Sequence, residues 1–100
     1  MAHYAVNRER GASWDPSRPM TEQERWAEHA AFMNGLVADG FVVVGGPLGD
    51  GLTILLLVAA ESEEAVHARL EEDPWTPMGL LRIAKIEPWQ ILLGEANAGP

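Results

Sequence analysis

The sequence contains no cysteine among its 100 residues. This absence excludes disulfide bonds, thiol nucleophiles, iron–sulfur clusters and cysteine-based zinc sites. The three histidines are scattered, with no HxH or HxxxH spacing, so no metal motif is present. We therefore expect no metal ion. The lack of cysteine also fits a reducing compartment, and we expect a cytoplasmic protein.

Basic residues are scarce, with 7 Lys and Arg against 15 Asp and Glu, which gives a formal net charge of −8. All of this charge lies in residues 26–100, because residues 1–25 contain four arginines and four acidic residues. A nucleic-acid-binding protein needs a positive surface, which this composition excludes. An anionic membrane surface would repel the chain as well.

Long apolar runs are also missing. The longest one, Leu52 to Ala60, has nine residues, whereas a membrane-spanning helix needs about 20. The first five residues lack the basic and apolar regions of a secretory signal. Hydrophobic residues still make up 47% of the chain, enough for one small core. We expect a single domain over 1–100, with an ordered core at about 3–94 and a flexible tail at 95–100.

Hydrophobic patterning predicts the element order β-α-β-β-α-β, which is that of the α+β, ferredoxin-like fold. Right-handed crossovers would place both helices on one face of its sheet. The predicted elements are a strand at 3–9, a helix from a Thr21 cap to Asp39, strands at Phe41–Val44 and Leu52–Ala60, a helix from a Ser62 cap to before Pro74, and a strand region at 80–93.

Two finer predictions concern the first helix and the strand that follows it. Trp26, Ala30, Met33 and Val37 recur at helical spacing and should face the core. The Gly45–Pro47 segment is interpreted as the end of the second strand and the start of a hairpin.

The strand Leu52–Ala60 is apolar on both faces, with only Thr53 polar. One face would pack on the helices, but the chain has no element left to cover the other. A second copy, packed sheet against sheet, is the most economical cover. We therefore expect a homodimer through the open sheet face.

Two polar residues are the first candidates for catalysis. His29 lies on the predicted first helix, either as a packed histidine bonded to a backbone carbonyl or water, or as a proton carrier. Asp73 ends an acidic run where carboxylates oppose the helix dipole, and is either a turn former before Pro74 or a functional group. Together they could form a dyad in which Asp73 fixes the tautomer of His29. His67 lies on a polar helix face and should be solvated.

Five further residues are candidates for substrate binding. Arg8 lies on a first strand that should be central, so it sits either at a frayed end or in a cleft that receives an anionic ligand. The backbone at Gly46 and Pro47 allows a close approach. Trp14 and Trp75 fall in loops, where they either cover the core or line a pocket.

Several motifs in order resemble the YciI-like (YCII-related) proteins. They are His29-Ala30-Ala31-Phe32, Gly45-Gly46-Pro47-Leu48, Asp73-Pro74-Trp75 and Glu87-Pro88-Trp89, with the loop Trp14–Pro19. The resemblance covers about residues 3–94. It implies a dimeric α/β-barrel and an active site built on a first-helix histidine and the aspartate of the D-P-[WFY] motif. These positions correspond to His29 and Asp73.

The resemblance also implies proton-abstraction chemistry on small ring compounds. Our hypothesis is a cofactor-independent enzyme of the lyase or isomerase type, in which His29 removes a proton and Asp73 orients it. The alternative is a non-catalytic small-molecule-binding or accessory protein that uses the same cleft. The first strand departs from the family pattern at Asn7 and Arg8, which favours a more polar or anionic ligand.

Overall fold

The computed structural model describes residues 1–94, so the expected flexible tail at 95–100 lies outside the described residues. The predicted order of strands and helices is confirmed. The elements are β1 (Ala2–Arg10), α1 (Trp26–Ala38), β2 (Val42–Leu48), β3 (Thr53–Ala60), α2 (Glu63–Leu70) and β4 (Leu81–Pro88), with a short 3-10 turn at Met20–Glu22.

The four strands form one antiparallel sheet in the order β2-β3-β1-β4, which confirms the ferredoxin-like arrangement. Val6 on the central strand β1 lies opposite Leu56 of β3. Both belong to the same buried cluster as Leu36 of α1 and Leu70 of α2. The two helices therefore cover the same face of the sheet, and the residues of β1 and β3 that alternate with Val6 and Leu56 point to the opposite, open face.

The first helix begins later than the capping-box pattern predicts. Thr21 lies in the 3-10 turn, and α1 begins at Trp26, after Arg25 adopts a left-handed φ of 59°. The buried side chain of Gln23 explains the break, because its amide nitrogen donates to the Asp15 and Arg18 carbonyls. These bonds tie residues 15–23 into a compact loop that cannot continue the helix.

The core-facing stripe of α1 also differs from the prediction. Val37 is 53% exposed, so its assignment to the core was wrong. His29 and Leu36 are the buried residues of the helix, and Trp26 and Met33 pack beside the core. His29 thus lies within the buried stripe of the helix.

The Gly45–Pro47 segment continues β2 instead of ending it, which corrects the hairpin interpretation. Because β2 pairs with β3 alone, it is an edge strand, where a proline such as Pro47 is tolerated. A Cβ atom at Gly45 would lie 2.5 Å from Leu56 Cδ2, so glycine permits the close approach of these two strands. The segment therefore brings backbone, not side chains, to this part of the fold.

Candidate functional site

Three polar side chains from distant parts of the chain meet beneath the helices. Arg8 comes from the central strand β1, His29 from α1 and Asp73 from the loop that follows α2. They are 2%, 6% and 0% exposed, respectively. Buried ionisable groups are costly unless they are paired and hydrogen-bonded, so their contacts decide what the cluster can do.

The carboxylate of Asp73 is bonded to His29, Arg8 and the backbone of Trp75. His29 Nδ1 lies 2.8 Å from Oδ2 and 3.0 Å from Oδ1. Arg8 Nη2 donates to Oδ2 at 2.9 Å, and the backbone N–H of Trp75 donates to Oδ1 at 2.9 Å. The Trp75 bond is an aspartate turn, which explains why an Asp two residues before a loop tryptophan holds its side chain inward.

These contacts determine the charge of Asp73. Burial raises the pKa of the carboxyl group, but the hydrogen bonds from His29 and the Trp75 amide, together with the Arg8 charge, outweigh it. The net effect lowers the pKa of Asp73 below its ordinary value, so the group is ionised at neutral pH. An ionised carboxylate accepts only, and the hydrogen-bond network therefore assigns the proton of a neutral His29 to Nδ1. This assignment leaves Nε2 with a free lone pair.

The ring of Trp75 packs against the imidazole of His29. The two rings stack with 3.8 Å between centroids and 4° between planes. Trp75 is itself fixed, because its Nε1–H donates to the Glu24 carbonyl at 2.7 Å and Trp14 packs edge-on against it. Trp14 and Trp75 thus lie in the core behind His29. Their expected contact with substrate stays a prediction.

A cavity of about 140 Å³ adjoins the polar cluster. Four of the candidate residues line it, namely Arg8, His29, Gly46 and Pro47, whereas Asp73, Trp14 and Trp75 lie behind its wall. Its volume is below the ~300–1,000 Å³ of pockets for drug-sized ligands, which favours a ligand of about one ring. The remaining lining residues are Met20, Met33, Gly45, Ile54, Leu56 and Leu81.

No sequence pattern identifies some of these lining residues as part of a cavity. Met33 has helical core spacing, which does not separate a cavity wall from an ordinary core position. Gly45 belongs to the same motif as Gly46, and only the alternation along β2 shows that its missing side chain leaves space on the helix side. Gly45 can be identified as a wall residue only once β2 is known to continue through the Gly45–Pro47 segment.

A larger depression of about 460 Å³ lies elsewhere on the surface, between the 13–24 loop and Leu80. Its charged side chains include Asp15 and Arg18, which pair with each other at 3.5 Å and are exposed. Gln23 in its wall is fully engaged with backbone groups. We therefore place the candidate site at the smaller cavity, where the buried polar groups converge.

Within residues 1–94, no group of three or more metal-binding side chains comes together. No helix in that part of the chain is long and apolar enough to cross a membrane.

Comparisons with known proteins find similarity among solved structures. No protein-family profile matches the chain, and no curated protein sequence matches it. Among solved structures, the chain is similar to the 5-chloro-2-hydroxyhydroquinone dehydrochlorinase TftG from Burkholderia phenoliruptrix, determined in complex with 2,5-dihydroxybenzoquinone. The two are 30% identical with a TM-score of 0.58, over 95% of this chain and 98% of the dehydrochlorinase.

The chain belongs to the same family as this dehydrochlorinase. TftG is a YciI-like protein of the dimeric α/β-barrel type, so the resemblance carried by the sequence motifs and the structural likeness agree. The likeness extends over almost the full length of both proteins.

Proposed function

We propose that this protein is a cofactor-independent enzyme that removes a proton from a small cyclic or aromatic substrate in an elimination or tautomerisation. The observation that carries this proposal is the pairing of His29 Nδ1 with the buried Asp73 carboxylate, at 2.8 Å, while the same imidazole lines a cavity. Such a pair is the arrangement of a general base and the group that orients it.

His29 is the base in this proposal. Asp73 holds the proton on Nδ1, so Nε2 carries the lone pair that accepts the substrate proton. As His29 becomes an imidazolium, the ionised Asp73 and the parallel Trp75 ring keep it in place. The fixed geometry avoids the cost of reorienting the base during the reaction. Asp73 itself stays ionised throughout.

The family supports this choice of chemistry. TftG is named a dehydrochlorinase, and dehydrochlorination removes a proton and a chloride ion from the substrate. The proton needs a base, and His29 is the side chain in the cavity wall best suited to that role. A small-molecule-processing enzyme of the dimeric α/β-barrel type is therefore the function most consistent with both the site and the relative.

Substrate contacts follow from the cavity walls. Arg8 lies beside His29 in the wall, and Gly46 and Pro47 present backbone from the edge strand on the opposite side. A flat ring between these surfaces would approach the β2 backbone closely, which glycine allows.

The homodimer is the second part of the proposal. The open face of the sheet carries Ala5 and Leu55, together with Val44, which is 63% exposed. An apolar sheet face without helices is a surface that soluble proteins usually cover. Two sheets packed face to face would cover it in both copies.

The experiment is to measure chloride release from 5-chloro-2-hydroxyhydroquinone by the wild-type protein and three variants. We expect release above the buffer rate for the wild type, release at the buffer rate for His29→Ala, and a severe loss for Asp73→Asn. His67→Ala is the matched control, because His67 is an exposed histidine on α2 away from the cavity. It should keep the wild-type rate.

Full turnover by His29→Ala would overturn the proposal. Recovery of the bound compound unchanged from the wild-type protein, with no chloride released, would instead support a non-catalytic binding protein that uses the same cavity. Circular dichroism of each variant shows whether a loss of turnover is a loss of fold.

A further inference from the structure

Arg8 has hydrogen-bonding capacity that the protein does not use. Nη2 donates to Asp73, while Nη1 reaches only the sulfur of Met33 at 3.7 Å, a weak acceptor. Nε is buried and has no partner. A guanidinium has five N–H donors, and this one is 2% exposed in the wall of the cavity. A buried donor whose partner is only a weak sulfur acceptor is unfavourable, so an oxygen-bearing ligand that reaches Nη1 would improve the site.

The charges of Arg8, His29 and Asp73 also favour a ligand that carries oxygen. With a neutral imidazole, Arg8 and Asp73 cancel and the cluster has no net charge. When His29 accepts a proton, the cluster carries one net positive charge in a buried place, which is costly without compensation. No acidic side chain among residues 1–94 lines the cavity. The balancing negative charge is therefore the one that the departing proton leaves on the ligand.

We propose that Arg8 binds an ionised oxygen of the substrate, and that the substrates of this protein are ring compounds that carry such an oxygen. The inference rests on the proposed function, since the charge balance assumes that His29 is the base. The other side chains of the cavity, including Met33, Ile54 and Leu56, are apolar and suit the body of a ring.

Arg8 has a second task in this arrangement. Removing a proton leaves negative charge on the substrate, which conjugation spreads to ring oxygens. A guanidinium already in place at that oxygen stabilises this charge without reorganisation. The planar fork of arginine matches an oxygen anion better than the point charge of lysine does.

Isothermal titration calorimetry at neutral pH tests the proposal. The anionic probe is 2,5-dihydroxybenzoquinone, whose hydroxyl groups are vinylogous carboxylic acids and are ionised under these conditions. The neutral probe of the same ring size is hydroquinone. We expect the wild-type protein to bind the anion more tightly than the neutral compound, and Arg8→Gln to weaken anion binding by roughly 10- to 100-fold. Hydroquinone binding should stay unchanged.

Two further variants make the test decisive. Arg18→Gln removes the same charge from an exposed site outside the cavity, so it should leave anion binding unchanged. Arg8→Lys keeps the charge next to Asp73 and should fold even if Arg8→Gln does not. We expect its affinity for the anion to fall below that of the wild type, because the fork of donors is lost.

The outcomes separate this inference from the proposed function. Wild-type affinity for the anion in both Arg8 variants, or no anion binding by the wild type, would overturn the role of Arg8. If His29→Ala still abolishes turnover in that case, the general-base proposal stands without it. If Arg8→Gln weakens anion binding while His29→Ala retains turnover, the anion site stands and the proposed mechanism falls.

Discussion

The indole of Trp75 lies parallel to the imidazole of His29, with 3.8 Å between the ring centroids. The backbone N–H of Trp75 donates to the carboxylate of Asp73. One short loop segment therefore supplies both the surface that supports the histidine ring and the aspartate that binds its Nδ1. The D-P-W motif therefore orients the His29 imidazole by two contacts, the hydrogen bond from Asp73 to Nδ1 and the stacked ring of Trp75. This relationship makes the loop after α2 as important to the site as α1 itself.

The stacking predicts a specific kinetic effect for Trp75→Phe. This change removes the Nε1–H bond to the Glu24 carbonyl and part of the stacked surface. Trp75 does not line the cavity, so we expect kcat of chloride release to fall while KM stays near the wild-type value. A raised KM with unchanged kcat would show instead that Trp75 contacts the substrate.

Asp73→Asn should alter stability in a pH-dependent way. The pKa of Asp73 is lowered in the folded state, so its ionised form contributes stability that is present above its ordinary pKa of 3.8 and is lost as the pH falls through the lower folded value. At neutral pH the variant leaves Arg8 without its buried partner, and we expect a loss of about 3–5 kcal/mol.

Urea unfolding of the wild type and Asp73→Asn between neutral pH and pH 2 measures this difference. The gap in unfolding free energy between the two proteins should be largest at neutral pH and should narrow below pH 3.8. A gap that stays constant over this range would mean that the pKa of Asp73 is the same in the folded and the unfolded protein.

The proposed dimer interface predicts different effects for two valines. Val44 is 63% exposed on the open sheet face, and Val37 is 53% exposed on α1. Val44→Glu should place a charge in the interface and give a monomer in light scattering, while Val37→Glu should leave the dimer intact. Neither change disturbs the core of the single chain. A Val44→Glu protein with the same mass in solution as the wild type would refute sheet-to-sheet dimerisation.

Two glycines should respond to alanine in opposite directions. At Gly45 the new Cβ would lie 2.5 Å from Leu56 Cδ2, so Gly45→Ala should displace a wall of the cavity and reduce ligand binding and stability. At Gly35, inside α1, nothing lies within 4 Å of the new Cβ, and alanine should stabilise the protein by about 0.5–1 kcal/mol. Thermal unfolding of both variants checks these signs.

The sequence was sufficient for the order of elements and for the sheet, because apolar alternation and capping residues are local signals. The Ser62 cap, for example, accepts the Ala65 N–H as its position suggested. The start of α1 could not be predicted in the same way. It depends on Gln23, whose side chain bonds to the backbone carbonyls of Asp15 and Arg18 in the preceding loop, a contact that no helix-capping pattern describes.

The candidate site, too, could be predicted from the sequence only in part. Residue type and motif resemblance predict His29 and Asp73 as a pair, but nothing local indicates that Arg8 meets them. Its contact with Asp73 spans 65 positions and follows from the central place of β1 in the sheet. The stacking of Trp75 is a tertiary feature as well, since its partner His29 lies on α1.

Use of Nε2 as the base requires that Asp73 hold the proton of neutral His29 on Nδ1. A long-range ¹⁵N–¹H correlation spectrum, recorded where the imidazole is neutral, measures directly which ring nitrogen carries the proton. The His29 signals are identified by their absence from His29→Gln. We predict the Nδ1–H form for the wild-type protein, and a spectrum that shows His29 in the Nε2–H form would contradict the proposed mechanism.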